Sequence, residues 1–577
     1  MKVFVKRMLA CGLTGAMILS MAACGSSTKG DSGKEEKKAA TDSTGVPTIT
    51  FYPRDANLTS GLVEGFKGDY FASRGFNLDV WAYSDEKTNA ILSSGDLPDV
   101  MFIPEESLDT MIKNDMLLNL DEYLDDMPHV SSYEPLDAAL KYVKKYKSAD
   151  TGSVYGIPIE VGDNCAKYAY VNATERNAVR LNWDIYEEIG APEINNFDDL
   201  LDVMEQMQEA HPTDEEGNAF YGTVLNNGSD TDFWASMVMW YRFQGYQEEQ
   251  LPYLLEADMI NGTFSSILSK DSMYYKGLKW YNEAYKRGLM DPDSINNDRP
   301  TQKAKVDGGY TQIPSGYLPG WASTYLEYYI PDTNIYYNAT NTYGDVRYMI
   351  GINANTENLD ACLAFVDMLA DPDAYLTINN GPDGEFWYSD DSGNAYFTEE
   401  GMDYLEKNGG DMTGYTLSNG ETLEYWNSPF IAWNGAATSF SDGEGGIRTA
   451  SVSGWTELNE LNIDNESFHA WQETTGYETW KDWLEAEGAY YSESELANLN
   501  SFTSLPDDTM KLTVDAIKDK VVNASWQMVY AEDDTTFDAL WNQMIVDCEG
   551  LGAQEVIDWR LADLENAMEV RDSLENE

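Results

Sequence analysis

At 577 residues the chain is long enough for two or three domains with several packed cores. Its 37 Lys and Arg face 100 Asp and Glu, a net charge of −63 that repels phosphate and so disfavours nucleic acid and anionic lipid headgroups as partners. The acids are interleaved with 38 Tyr and 16 Trp, as in a folded acidic protein rather than an acidic tail, and 3 His leave few candidates for His-based metal sites or general bases.

Lys2, Lys6 and Arg7 form a basic start, and residues 8–23 are uncharged and apolar or small. That run reads as the apolar region of a signal peptide; it falls short of the ~20 apolar residues that a membrane-spanning helix needs. It ends in Ser20-Met21-Ala22-Ala23-Cys24-Gly25, which resembles the bacterial lipobox, with Met21 where Leu is usual. Cys24 is therefore read as the lipidated first residue of the mature chain. Residues 1–23 are the signal peptide in this reading and 24–46 a flexible tether, rich in Ser, Lys, Glu, Gly and Thr with no apolar period. Of the 5 Cys, Cys11 leaves with the signal and Cys24 takes lipid. Cys165, Cys362 and Cys548 remain, an odd set without a C-x-x-C spacing, expected to be buried free thiols.

Beyond the tether, short apolar strands alternate with helical spacing. Strands are expected at Thr48–Tyr52 (TITFY), 77–83 (NLDVWAY) and 99–103 (DVMFI), with helices at 62–74 and 86–93 between them. Such alternation implies a parallel sheet with helices on its faces, and ligands of such sheets sit at the carboxyl ends of the strands. Those ends carry Pro53-Arg54-Asp55, Trp81 with Tyr83, and Pro104-Glu105. Asp99 is expected to cap the start of its strand. No glycine-rich phosphate loop follows any of these strands, which disfavours a nucleotide site. Helices are expected at 196–207, behind an Asn cap, at 233–243 and at 278–287, then a strand at 345–353 and a helix at 359–369. Helical spacing returns at 509–523, 536–548 and 553–574.

Six ordered stretches of this sequence resemble the extracellular solute-binding proteins of bacterial ABC importers, family 1, the lipid-anchored group that takes up sugars and oligosaccharides. They are NAILSSGDLPD (89–99) with LLNLDEY (117–123), YGIPIEVGD (155–163) with YAYVN (168–172), GLKWYNEAYKRGLMDPDSI (277–295), the run 303–321, YMIGINANTENLDACLAFVDML (348–369) and the run 381–401; the ending 537–557 also looks familial. The resemblance implies an α/β fold of the periplasmic-binding-protein type II, two α/β lobes joined by hinge strands with a ligand cleft between them. It implies a first lobe from 47–163 and 347–425 and a second from 164–346 and 426–577, the last part carrying the C-terminal helices. It further implies capture of a carbohydrate, an oligosaccharide, by lobe closure, and delivery to the permease subunits of an ABC transporter. The protein would be a monomer on the outer face of the cytoplasmic membrane, held by the Cys24 lipid.

Sugar rings offer apolar C–H faces and hydroxyl rims, so aromatic rings and charged or amide side chains are the groups to seek. The candidates are Arg54, Asp55, Trp81 and Tyr83 at the strand ends, and Asp163 and Asn164 after the hinge motif. Trp321, after Gly320, matches the family's cleft aromatic, and Trp387 and Trp433 lie near glycine or loop signals. Trp240, Trp280, Trp480, Trp483, Trp526 and Trp541 lie in helical patterns and are expected in the core. Two alternatives stay open: a receptor for a peptide or other polar solute on the same scaffold, and a surface-anchored glycoside hydrolase. No G-x-S-x-G, H-E-x-x-H or Cys/His cluster supports an enzyme, and in so acidic a chain a carboxylate pair carries no weight. No cofactor is expected. A structural calcium ion is conceivable, yet Asp291-Pro292-Asp293 and Asp390-Asp391-Ser392-Gly393 lack the EF-hand spacing.

Overall fold

The strand β1 (Thr48–Tyr52) is built from β-branched and aromatic residues and lies at the centre of a six-stranded sheet. The computed structural model describes residues 45–53, 60–148, 150–159, 161–163, 178–213, 217–227, 233–307, 324–337, 340–408, 410–423, 439–441, 447–449, 452, 455, 457 and 466–576. Beside β1 run β3 (Asn77–Val80) and β4 (Val100–Pro104), both parallel to it. The short β2 (Gly61–Leu62) pairs antiparallel with β3 at one edge. At the other side the long strand Asp345–Ile352 pairs antiparallel with β4 and with β5 (Ile157–Ile159). The sheet is therefore mixed, not wholly parallel as the alternation implied. The crossovers through α1 (Gly65–Ser73) and α2 (Asp85–Ser94) make the central strands parallel, whereas Asp345–Ile352 enters from the opposite end.

Both faces of the sheet are covered by helices, which is why its strands are apolar almost throughout. Side chains alternate along β4: Val100 and Phe102 face a core with α1, α4 (Pro128–Ser132) and the helix Leu359–Met368, while Met101 and Ile103 face α2 and α3 (Glu105–Lys113). In the first core Phe365 meets Phe51 edge-on at 5.1 Å between ring centres and Phe76 at 5.7 Å. Burying each such ring contributes about 1.5–3 kcal/mol.

Helix boundaries follow their caps. The Ser84 hydroxyl accepts from Lys87 N–H at 3.2 Å and starts α2, and Gly95, in the left-handed region at φ 76°, ends it. α1 starts at Gly65 rather than at residue 62, because Gly61–Leu62 join the sheet edge; Glu421, 355 residues away, caps its Phe66 N–H at 3.1 Å. Asp99 is structural: its carboxylate accepts from Thr50 N–H and hydroxyl at 2.8 Å each and from the Thr356 hydroxyl at 2.6 Å, binding β1, β4 and a distant turn together.

A second core is mainly helical. Phe197–Ala210, capped by Asn196, packs with Phe233–Arg242, Met273–Lys286 and the C-terminal helices Asp508–Val529, Asp534–Leu551 and Ala553–Glu575. Trp240, Trp280, Trp526 and Trp541 are buried there, and Trp480 is buried in a smaller neighbouring cluster. The antiparallel pair Val179–Asn182 and Tyr325–Tyr328 borders this core; within it Arg180 and Glu327 are cross-strand partners, 2.6 Å apart and buried. The passages between the cores also pair: Gly162–Asp163 lies antiparallel to Thr340–Asn341. Gly344 (φ 68°) follows, and a Cβ there would collide with Ile159 O and Val161 Cγ2.

His129 is half-buried. Its backbone N–H and Nδ1 both engage Asp367 at 2.7 Å. Among the described residues no helix is long and apolar enough to cross a membrane.

Cys362 and Cys548 are buried free thiols; burial pushes them up to about 12 and about 11, so neither presents a thiolate. Iodoacetamide at mildly alkaline pH is expected to leave both unmodified in the native protein and to alkylate both in denaturant, read peptide by peptide by mass spectrometry. Rapid native labelling of either would contradict this packing. Cys165 lies outside the described residues.

Candidate functional site

The carboxyl ends of β1 and β3 bring together an aromatic group with a cation. β3 ends at Val80, and the next residue, Trp81, is held against β1 by its N–H donating to Phe51 O at 2.8 Å. Trp81 is half-buried, as is Tyr83, so each ring keeps part of its surface open. Tyr52, the last residue of β1, is buried beneath them and lies 5.7 Å from Tyr83 between ring centres. Its hydroxyl donates to Ser84 O at 2.9 Å or shares a hydrogen with Thr88 Oγ1 at 2.8 Å, which clamps the turn carrying Trp81 and Tyr83 to the start of α2. Lys87, in the first turn of α2, places Nζ 4.7 Å from the centre of the Trp81 ring and 5.6 Å from that of Tyr52. A cation over an indole face in this range is attracted by about 0.5–1 kcal/mol at an exposed site.

This arrangement offers an aromatic face for stacking and ammonium hydrogens for oxygen acceptors. Trp81 and Tyr83 are the sequence candidates that the structure brings together. Tyr52 and Lys87 were missed. For Tyr52 the signal was available, since the last residue of an alternating strand at a strand-end site must face one side or the other. For Lys87 only the three-dimensional course of α2 shows its approach to the indole.

Trp387 requires a correction. It is 1% exposed, its indole N–H donates to Gly381 O at 2.8 Å, and it packs with Leu376, Phe386 and Leu405. The glycines around it shape a hairpin (Trp387–Ser389 with Ala395–Phe397) rather than a ligand loop, so Trp387 is core and presents no surface to a ligand. Asp163 is described only through its backbone, in the pair with Thr340. Arg54, Asp55, Asn164, Trp321 and Trp433, like Cys24, lie outside the described residues.

The acidic loops considered for calcium are engaged internally. Asp291, 2% exposed, pairs with Lys305 and accepts from Asn297 Nδ2 at 3.0 Å, so an ammonium already neutralises it. Asp390 accepts from Asn394 N–H at 2.9 Å and Ser392 N–H at 2.8 Å; these bonds, those from Asn394 foremost, hold its carboxyl below the usual range and close the hairpin turn. Among the described residues no group of three His, Cys, Asp or Glu is placed to hold a metal ion.

Neither a protein-family model nor a curated protein sequence matches this chain. Solved structures do. A solute-binding protein of S. pneumoniae, FusA, an EF-hand mutant in complex with fructo-nystose, is 14% identical over 92% of this chain and 100% of its own, at a TM-score of 0.58. An HMO-binding, ABC-transporter-associated solute-binding protein from Bifidobacterium longum infantis is 15% identical over 91% of this chain and 99% of its own, at 0.56. The alginate-binding protein AlgQ2, in a structure without calcium ion, is 13% identical over 91% of this chain and 98% of its own, at 0.52. The chain thus has the fold of the ABC-transporter solute-binding proteins, as the six sequence stretches implied.

Proposed function

We propose that this protein is an extracellular solute-binding protein that captures a carbohydrate, an oligosaccharide, and delivers it to the permease subunits of an ABC importer. In this reading it is a monomer held to the outer face of the cytoplasmic membrane through lipid on Cys24, and it binds rather than transforms its ligand. The observation that carries the reading is the aromatic and cationic cluster of Trp81, Tyr83, Tyr52 and Lys87, placed at the carboxyl ends of parallel strands in a solute-binding fold. Of three proteins of this fold, one is HMO-binding, one is in complex with fructo-nystose and one is alginate-binding, which favours a glycan over a peptide here. The two cores become two lobes, 47–163 with 347–425 and 164–346 with 426–577, and the paired passages at 162–163 and 340–341 become the hinge. Ligand then stabilises the closed state by touching both lobes.

Replacing Trp81 by Ala tests the site. An aromatic anchor that stacks on ligand typically costs ~2 kcal/mol or more when removed, roughly a thirtyfold weakening. Calorimetry with a bound oligosaccharide is expected to show that loss, with the unliganded melting temperature moving only modestly because the ring is half exposed. Unchanged affinity in Trp81→Ala would take the site away from the strand ends.

A further inference from the structure

An amine, an amide and a carboxylate meet beside Leu225 and Met290 of the second core: Lys305, Asn297 and Asp291. Asp291 is fixed by its own N–H donating to Thr223 O at 3.0 Å, next to the bridge between Thr223 and Met290. Asn297 follows the single 3-10 turn Ser294–Asn296, and Asn227 N–H ties it back by donating to Asn297 O at 2.7 Å. Lys305 comes from the helix Arg299–Asp307, whose start is capped by Asp298 accepting from Thr301 N–H at 2.9 Å. Three residues before Lys305, on the same face of that helix, Gln302 donates to Val224 O at 2.8 Å and holds the face against residues 223–227.

The amide is oriented for reaction. Asn297 Nδ2 donates to Leu225 O at 3.2 Å and to Asp291 Oδ2 at 3.0 Å, so its nitrogen faces the carboxylate and its oxygen the amine. Lys305 Nζ lies 3.1 Å from Asn297 Oδ1, beside the Cγ to which that oxygen is bonded, and it also contacts Asp291 Oδ2. Asp291 and Asn297 are 2% and 3% exposed, and the Lys305 side chain 21%. Lys113 and Asp109, by contrast, form an ordinary surface pair with side chains 58% and 66% exposed. An amine held against a primary amide, with a carboxylate touching both nitrogens, has the parts of an acyl transfer: nucleophile, carbonyl and proton carrier. Fixed proximity in a site poor in water supplies what a high reactant concentration would otherwise have to.

We infer that Lys305 and Asn297 are a self-modification site, where the chain forms an amide bond between Lys305 Nζ and Asn297 Cγ and releases ammonia. Lys305 passes a proton to Asp291, and the electron pair left on Nζ forms the bond to Cγ. Asp291 gives that proton to Nδ2, which it already meets; the Cγ–Nδ2 bond breaks and its electron pair leaves on nitrogen as ammonia. The second proton lost by Nζ passes through Asp291 to this ammonia, which departs as ammonium. One ammonium and one primary amide thus become one secondary amide and one ammonium ion. Asp291 ends as the carboxylate it was, and no oxidant or other reactant enters. The bond ties the helix Arg299–Asp307 to the turn before it.

The inference does not rest on the carbohydrate reading, and its test uses no ligand. The mature chain is digested with trypsin, which spares a lysine whose amine is acylated, and the peptides are read by tandem mass spectrometry. The peptide carrying Asn297 is expected to stay joined to the one carrying Lys305, at the sum of their masses less one ammonia. The joined pair is expected to be absent from Lys305→Arg, and from Asp291→Asn, which keeps the size of the side chain and lacks the proton carrier. Separate peptides with Asn297 and Lys305 intact in the unsubstituted chain would overturn the inference, even where a variant fails to fold. So would an ammonia deficit at Asn297 that persists in Lys305→Arg. Joining as complete in Asp291→Asn as in the unsubstituted chain would overturn the part given to Asp291.

Discussion

Replacing Glu327 by Ala is expected to lower the stability of the protein by about 3–5 kcal/mol, one of the two largest effects foreseen for a single substitution. Arg180 and Glu327 face each other across Val179–Asn182 and Tyr325–Tyr328, with side chains 9% and 3% exposed. Removing the carboxylate leaves a guanidinium in the interior whose Nε already has no hydrogen-bond partner among the described residues. A buried charge without its counter-ion is the costly state, whereas two apolar residues of similar volume are tolerated. The double variant Arg180→Met with Glu327→Leu is therefore expected to recover most of the loss. Chemical denaturation of the single and double variants checks both statements; a double variant no more stable than Glu327→Ala would show that the cost lies in packing rather than charge.

Trp387→Ala is expected to cost a comparable 3–5 kcal/mol, by a different route. The indole is 1% exposed and fills a cluster with Leu376, Phe386, Phe397 and Trp455, so its loss leaves a cavity and an unsatisfied Gly381 carbonyl. That cluster is small and separate from the two main cores, so the damage should be local. Hydrogen exchange is expected to rise across residues 381–423 while the six-stranded sheet keeps its protection, and oligosaccharide affinity should hold. A drop in affinity at unchanged exchange would return Trp387 to the ligand site.

The contrast between Trp81 and Trp387 shows how far the sequence could be read. The strands expected at 48–52, 77–83 and 99–103, and found at 48–52, 77–80 and 100–104, were legible because β-branched and aromatic residues cluster there between turn signals, and the C-terminal helices because their apolar spacing persists for several turns. Trp81 and Tyr83 follow the carboxyl end of β3, the location that made them candidates. Trp387 was misread because glycines nearby suggested a loop, while the burial of its strand depends on Leu376 and Trp455, far away in sequence. The antiparallel entry of Asp345–Ile352 was equally hidden, since the direction of a strand is set by where the chain comes from and not by its residues. The approach of residues 502–504 and 566–570 to Glu105 and Lys147 could not be read at all, since these residues meet only in the fold.

The central claim is that the folded chain captures a glycan. Its most direct test is the melting temperature of the mature protein measured against a panel of oligosaccharides and peptides, because a ligand that binds only the folded state raises it by mass action. The account predicts a rise with at least one oligosaccharide of three or more units, growing with ligand concentration, and none with peptides. A rise with peptides and none with any glycan would contradict it.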